Sequence, residues 1–306
     1  MAESVDPAVQ RLALRLQLRQ LRVGATLTQK DVAKQLEWSP SKILRIESGE
    51  NGVSATDLQA LLRIYKVTDP RRTEELTKLA REGRKPSTSS YDDVLSKEIQ
   101  LLQRYEKAAS IIRQFEPIVV PGLLQTREYA ESILRLYASP DDSERVIQRR
   151  IESRLERQEL LERDDPPEMF FILDEAAVRR RIGYEAGGDA GRSVMRQQIE
   201  YLKKINEHPR ITIQIMRFLL GGYQGMRGPF VVIEFAEAAL NDLLYLETVD
   251  GEYIKQEEPS DTRPYLEQFW EMESVATAKD ELNDLLDDVL RSMDSDEAGE
   301  FGSVTT

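Results

Sequence analysis

A short polar and basic stretch near the N-terminus contains side chains of the types that contact the edges of DNA bases. Within seven positions it holds Ser39, Ser41, Lys42, Leu44 and Arg45. Arginine and lysine donate to guanine, hydroxyl groups pair with several bases, and an apolar side chain suits the thymine methyl group. If residues 40–48 are helical, Ile43 and Ile46 face a core while the polar positions face outward. We therefore predict a recognition helix that enters the major groove.

The residues before this stretch predict the helix that would position it. Thr28 is a helix-capping residue and Asp31 follows at the spacing of a capping box, while the apolar residues within 32–36 recur at the spacing of a buried helical face. Ser39 then caps a second helix with Pro40 at its first position. Two short capped helices joined by a tight turn are typical of a helix-turn-helix, although helical bundles with no DNA-binding role also contain such pairs.

The string from Thr28 to Gly49 resembles the phage-repressor or XRE class of helix-turn-helix, whose pattern TQ..VA..L..S.S.I.RIE.G these residues fill. The resemblance implies that Gln29 joins the DNA-binding residues. It also implies an ion pair between Arg22 and Glu47 that connects the first helix to the end of the recognition helix. The alternative is a solvated surface pair of little energetic value.

Composition limits the remaining functions. The 306 residues leave room for two domains, and the chain has no cysteine and a single histidine, His208. Disulfides and thiolate metal sites are therefore excluded, and neither a cofactor motif nor a catalytic nucleophile motif is present. No apolar run approaches the ~20 residues of a membrane span, so we expect a cytoplasmic protein. Because no catalytic motif is present, we expect that it is not an enzyme. When bound to DNA it would join the nucleoid.

The net charge of −13 is unevenly distributed. Residues 1–85 hold 16 Lys and Arg against 11 Asp and Glu, so this part carries +5 and the remainder −18. Phosphate contacts need the basic part, while an acidic remainder would be repelled by the duplex. The charges predict two domains with different roles.

Helix-start signals divide the N-terminal part. Asp6 with Pro7 opens a first helix, Ser54 caps a fourth, and Asp69 with Pro70 opens a fifth. We predict an all-α, five-helix, lambda-repressor-like domain over residues 1–84, followed by a linker over 85–92, a second domain over 93–292 and a disordered acidic tail over 293–306.

The second domain mixes two hydrophobic periods. Helical periodicity runs from 94 to about 115. Short runs rich in β-branched and aromatic residues then predict strands at 169–173, 211–216, 230–235 and 243–249. Helices are predicted between and after them. This domain is expected to be α+β and mainly helical, with a small sheet of about four strands.

Residues 116–126, EPIVVPGLLQT, predict a buried non-helical segment that precedes a helix capped by Thr126. With the preceding Phe115, this segment resembles the C-terminal domain of actinobacterial WhiJ-like and Scr antitoxin-like regulators. The resemblance extends to Arg154, Arg157 and Gln158, which either fix a helix to its neighbours or bind an acidic ligand or partner. Tyr223 lies in a glycine-rich stretch, 221–228, that we interpret as a flexible hairpin loop. We expect this loop, the buried segment and the helix of Arg154 and Arg157 to border one cleft.

The expected function is a sequence-specific transcriptional regulator that binds double-stranded DNA. It is expected to act as a homodimer on an inverted-repeat operator, paired through the strands or terminal helices of the second domain. That domain would bind a metabolite or a small partner protein. The alternative is an antitoxin-like protein that restrains a small partner encoded nearby and regulates its own operon.

Overall fold

The computed structural model describes residues 6–48, 52–85, 90–183, 188–236, 240–256 and 259–300. The chain divides into two compact units. One unit comprises residues 1–92, 99–109 and 235–241, and the other comprises 93–98, 110–234 and 242–306. The domain boundaries drawn from the sequence stay predictions, and half of the predicted linker, residues 86–89, lies outside the described residues.

Five helices form the N-terminal unit up to residue 85, as predicted. Each of four helices begins at the predicted capping side chain: Asp6, Thr28, Ser54 or Asp69 accepts a hydrogen bond from a backbone N–H of the first turn. The helices are α1 Pro7–Gly24, α2 Gln29–Leu36, α3 Pro40–Ser48, α4 Ala55–Ile64 and α5 Pro70–Gly83. Residues 49–51, between α3 and α4, lie outside the described residues.

The leucines of α1 explain why its sequence alternates as a strand would. Leu12, Leu14, Leu16 and Leu18 are all buried. Positions two apart on a helix point in nearly opposite directions, so α1 must be covered on more than one side. Leu14 and Leu18 pack in the core of the unit with residues of α2 to α5.

The second unit is built on a mixed sheet. In the described residues the sheet has six strands in the order β3-β2-β1-β4-β5-β6. The first three are parallel to one another, and β4 pairs antiparallel with β1 and β5, as β5 does with β6. The strands are β1 Ile111–Glu116, β2 Glu168–Asp174, β3 Ile211–Met216, β4 Phe230–Glu234, β5 Leu243–Thr248 and β6 Gly251–Lys255.

Two of these strands correct the sequence prediction of about four. The helix predicted to run to about 115 ends at Ala108, and β1 follows it. β6 forms a hairpin with β5 and is largely exposed, so it carries no continuous apolar signal. The second domain is therefore α/β with a six-stranded mixed sheet.

In the described part of the chain, seven further α-helices follow the N-terminal five. Helix α6, Lys97–Ala108, lies mostly in the first unit, which includes residues 99–109. The helices of the sheet unit are α7 Arg127–Leu136, α8 Glu144–Arg157, α9 Glu175–Arg179, α10 Gly188–Ile205, α11 Pro259–Val275 and α12 Leu282–Glu300. Helix α11 packs on the face that carries Phe115 and Phe230, with Phe269 and Met272 in the same core. Helix α12 extends into the segment predicted as a disordered tail, and residues 301–306 lie outside the described part.

The glycine-rich stretch is not a hairpin loop. It connects β3 to β4, and two other strands, β2 and β1, separate these strands in the sheet. The stretch also packs closely: a Cβ at Gly225 would lie 2.4 Å from Met272 Sδ and 2.8 Å from Tyr223 Cε2. The loop therefore runs past the ends of β2 and β1, and Gly225 packs against Met272 and Tyr223.

Candidate nucleic-acid interface

A tight turn sets the angle between α2 and α3. Glu37 ends α2 in the left-handed conformation with φ of 54°, and Trp38 N–H donates to Ala33 O at 2.9 Å. Ser39 Oγ accepts from Lys42 N–H at 3.3 Å and so caps α3. This turn holds α3 beside α2 as the sequence pattern predicts for a helix-turn-helix.

Helix α3 separates its apolar and polar side chains as predicted. Ile43 and Ile46 are buried in the core, whereas Ser41, Leu44 and Arg45 are exposed. Ser39 is exposed at the start of the helix. The outward face therefore offers two hydroxyl groups, one guanidinium group and one apolar side chain, which are groups that pair with base edges.

A buried ion pair fixes the end of α3 to α1. Arg22 Nε donates to Glu47 Oε1 at 2.6 Å and Arg22 Nη2 donates to Glu47 Oε2 at 2.9 Å. Only 12% of the Arg22 side chain and 5% of the Glu47 side chain are exposed. Gln29 Nε2 adds a third donor to Glu47 Oε2 at 2.8 Å, and Arg22 Nη1 donates to Leu27 O at 2.8 Å. The hydrogen bond from Arg22 to Glu47 raises the pKa of the guanidinium group.

Lys42 and Gln29 make side-chain contacts within the domain. Lys42 Nζ lies 2.7 Å from Asp57 Oδ1 on α4 and 3.6 Å from the ring centroid of Trp38. Gln29 uses its amide N–H on Glu47, as described above. Both side chains are partly buried. DNA contact by all six predicted residues, Gln29, Ser39, Ser41, Lys42, Leu44 and Arg45, stays a prediction.

In the second unit, α8 anchors the segment that precedes α7. Arg154 Nη1 donates to Gln125 Oε1 at 2.9 Å. Gln158 Nε2 donates to Gly122 O at 3.0 Å and to Gln125 O at 2.7 Å. Gln125 is itself buried and donates to Val120 O at 2.7 Å. Arg154 and Gln158 therefore stabilise the non-helical segment, which was one of the two roles left open by the sequence.

The electrostatics around α8 are unusual for such a structural role. Burial, with the neighbouring Arg157 as a second cause, lowers the pKa of Arg154 to about 10. Burial raises the pKa of Glu116 to about 8, and the charge of Glu247 adds to this increase. The Arg154 and Arg157 guanidinium groups both act on these two carboxyl groups in the opposite direction. A polar cluster with both signs of charge thus lies beside α8.

Tyr223 does not belong to this polar cluster. Its hydroxyl group donates to Asp174 Oδ2 at 2.5 Å, and its ring packs edge-on against Phe115 with centroids 5.9 Å apart. Phe115 lies on the face of the sheet that α11 covers, whereas Glu116, the next residue along the strand, lies on the other face. The sheet therefore separates Tyr223 from the arginines, and the cleft predicted to include the glycine-rich loop is not formed as one site.

The carboxylates of this polar cluster were not predicted from the sequence. Glu116 was included only as the start of a buried segment, Glu247 only as part of the predicted strand 243–249, and Glu252 was not singled out. Acidic side chains in a chain with 55 Asp and Glu carry no signal by themselves. Only the pairing of the strands brings these three together.

Comparisons with known protein families agree with this division of the chain. Residues 13–76 match the family model described as a helix-turn-helix domain. With an exposed polar face on α3, this match defines the class as a DNA-binding regulator of the helix-turn-helix type.

The second unit is matched by a different model. Residues 99–288 match the family described as a domain of unknown function, DUF5753. Because this match covers more than half of the chain, the protein belongs to the DUF5753 family. No curated protein and no solved structure matches the chain. In the part of the chain that the structure describes, no helix is long and apolar enough to cross a membrane.

Proposed function

We propose that the protein is a cytoplasmic, non-enzymatic transcriptional regulator of the XRE type that binds a specific operator through α3. The observation that supports this most directly is the rigid mounting of the recognition helix. Its C-terminal end is fixed by the Arg22–Glu47 pair and its N-terminal end by the Ser39 cap and the Lys42–Asp57 pair. A helix held at both ends pays little conformational entropy when its exposed side chains meet base edges.

The test uses Arg45, which is exposed on α3 and has the reach for a bidentate contact with guanine. DNA selected from a random pool by the full-length protein supplies the operator. Arg45→Ala should weaken operator binding by about 1–3 kcal/mol and relax the preference at one base position, with little effect on non-specific DNA.

Arg81→Ala is the matched control, because Arg81 is an exposed arginine of the same unit that lies on α5. It should change operator affinity far less than Arg45→Ala. Wild-type affinity and wild-type sequence preference in Arg45→Ala would contradict the assignment of α3 as the base-contacting helix.

We further propose that the protein acts as a homodimer on an inverted repeat, because one helix-turn-helix contacts only a half-site. The loop between β3 and β4 supports a self-association surface. It exposes four large apolar side chains, Phe218, Leu219, Leu220 and Met226, and Leu219 is 90% exposed. Exposed apolar clusters of this kind are typical of protein–protein contacts.

Light scattering tests the dimer. The wild-type protein should have the mass of a dimer, and Leu219→Asp should shift it towards the monomer and shorten the footprint to one half-site. Val249→Asp is the control, since Val249 is fully exposed but stands on the separate turn between β5 and β6. A monomeric wild-type protein with a one-half-site footprint would rule the proposal out.

The DUF5753 domain is proposed to bind a ligand or small partner that controls DNA binding. An antitoxin-like role is the alternative, in which the domain restrains a small partner protein. Capture of the full chain from its native cell, followed by mass spectrometry, distinguishes them. A stoichiometric small protein supports the alternative, a bound metabolite supports a ligand, and finding neither contradicts both.

A further inference from the structure

Lys42 stands in the first turn of α3 with its charge already paired inside the domain. The helix begins at Pro40, so Lys42 is its third residue, and Lys42 Nζ lies 2.7 Å from Asp57 Oδ1 on α4. Residues near the start of a recognition helix are those that contact base edges in a helix-turn-helix. An unpaired lysine at this position would also bind backbone phosphates, which every DNA sequence offers.

The carboxylate of Asp57 is fixed by its own helix. Asp57 lies in the first turn of α4, where its backbone N–H donates to Ser54 Oγ at 3.0 Å. The partial positive charge at the start of a helix stabilises a carboxylate there. The side chains of Lys42 and Asp57 are 35% and 25% exposed, so salt screens this pair less than a fully exposed one.

The ring of Trp38 makes a second contact with the ammonium group. Lys42 Nζ lies 3.6 Å from the ring centroid, a distance at which a cation is attracted to the aromatic face. Trp38 packs against the core of the N-terminal unit, which fixes the ring. The flexible stem of Lys42 is therefore restrained at its tip by two elements, the turn before α3 and the first turn of α4.

The restrained ammonium group still has donors to offer. A lysine ammonium has three N–H donors, and one of them can serve Asp57 Oδ1. Because the Lys42 side chain is partly exposed, the group remains accessible to an acceptor such as guanine O6 or N7. A donor that is already held in place loses little conformational entropy when such an acceptor arrives.

The paired charges also affect binding to other sequences. Non-specific affinity comes from cations that neutralise phosphates and release counterions. The Lys42–Asp57 pair carries no net charge, so it adds little to this affinity. A fixed donor without net charge gains free energy at a base edge that presents an acceptor at the matching position.

We propose that Asp57 is a specificity-determining residue, which together with Trp38 directs Lys42 to a base edge and prevents Lys42 from acting as a phosphate-binding cation. Asp57 and Trp38 are positioning residues, because they act through Lys42. The proposal rests on the proposed binding of an operator by α3. It adds a residue of a different helix that lowers the affinity for all other sequences.

The first test changes Asp57 in the full-length protein and compares the selected operator with a duplex of shuffled sequence. Asp57→Asn should raise affinity for the shuffled duplex and lower the ratio of operator to shuffled affinity at least about fivefold. Its plot of log affinity against log salt should become steeper by about 0.9, the value for one additional phosphate contact. Asp57→Glu keeps the charge and should keep the wild-type slope.

Glu75→Gln is the matched control for this change. It also removes one carboxylate that is paired with an arginine of the N-terminal unit, but the Arg72–Glu75 pair lies on α5. Glu75→Gln should change the affinity ratio less than about twofold. An affinity ratio in Asp57→Asn that equals that of the wild type or of Glu75→Gln overturns the proposal.

The second test removes both charges at once, so the net charge of the protein stays the same. Asp57→Asn combined with Lys42→Met should bind the shuffled duplex within about twofold of the wild type. Its operator affinity should fall at least about fivefold, with a relaxed preference at one base position. Melting temperatures of all variants confirm that they are folded.

The double variant distinguishes the possible roles of Lys42. An equal loss of affinity for both duplexes would make Lys42 a phosphate contact, and no loss for either would make the pair purely structural. Both results overturn the proposal. They leave the operator function intact if Arg45→Ala still loses sequence preference, whereas a random pool that yields no operator contradicts the proposed function and this inference together.

Discussion

The Arg22–Glu47 pair offers a quantitative test of how the recognition helix is held. Arg22→Met keeps most of the aliphatic stem and removes the charge. Glu47 would then be left 95% covered, with the Gln29 amide still donating to it. We expect Arg22→Met to destabilise the N-terminal unit by about 3–5 kcal/mol, because it leaves an uncompensated buried carboxylate.

The paired substitution should behave differently. Arg22→Met with Glu47→Leu removes both charges and leaves apolar side chains of similar size. Replacing a buried ion pair in this way is often neutral or stabilising, so the double variant should lie within about 1 kcal/mol of the wild-type protein. A double-mutant cycle should therefore give a coupling of at least about 2 kcal/mol.

Tryptophan fluorescence during urea unfolding can report this unit alone. The chain has two tryptophans, Trp38 and Trp270. Trp38 packs against the core of the N-terminal unit, and Trp270 is half exposed on α11, so a Trp270→Phe background isolates the relevant signal. Arg72→Met is the control, because the Arg72–Glu75 pair is exposed and should contribute no more than about 0.5 kcal/mol.

Equal losses of stability in Arg22→Met and Arg72→Met would contradict the assignment of a buried ion pair. A double variant as unstable as Arg22→Met alone would contradict it too. Either result would mean that Glu47 remains solvated without its partner, and that the pair is the surface interaction of little value that the sequence left open.

Three further predictions concern single positions. The pKa of Glu116, raised to about 8, means that the folded protein holds a proton that the unfolded chain releases near pH 4.3, so stability should fall by at most about 1.4 kcal/mol per pH unit from about pH 5 to pH 8. Glu116→Gln should flatten this slope in thermal melts, and parallel pH profiles would contradict it. Gly225→Ala should destabilise the second unit by about 1–3 kcal/mol through overpacking, measured by calorimetry, while Gly222→Ala, where a Cβ meets nothing within 4 Å, should not. Lys42→Met should lower the melting temperature of the N-terminal unit by removing the Asp57 pair, a loss of about 1 kcal/mol, and a melt identical to the wild type would show that this pair contributes nothing.

The N-terminal unit was predictable because its signals are local. Asp6, Thr28, Ser54 and Asp69 each mark a helix start through contacts within three residues, and proline at the first turn strengthens two of them. The engagement of Lys42 was not predictable, since its partner Asp57 is on another helix and the ring of Trp38 had no assigned position.

The sheet was harder to predict because its strands depend on distant partners. Ile112 continued the helical spacing of the preceding segment, and Gln114 and Glu116 placed polar groups on the face that would have to be buried. Those polar residues were evidence against a core strand, yet Gln114 donates to Glu116 within the polar cluster beside α8. Arg154 and Arg157 could be singled out through a motif, whereas the opposing carboxylates become neighbours only through strand register.

The central position of β1 also affects how the chain folds. Strands β4, β5 and β6 follow one another and pair in sequence order, so this half can form from contacts of short sequence separation. β1 must instead join β2 across α7 and α8 and join β4 at a separation of 121 residues, as between Arg113 and Glu234. Closing such long loops is slow, so we expect insertion of β1 to limit the folding rate. Until it inserts, the inner edges of β2 and β4 remain unpaired, which makes this intermediate the form of the protein most prone to aggregate.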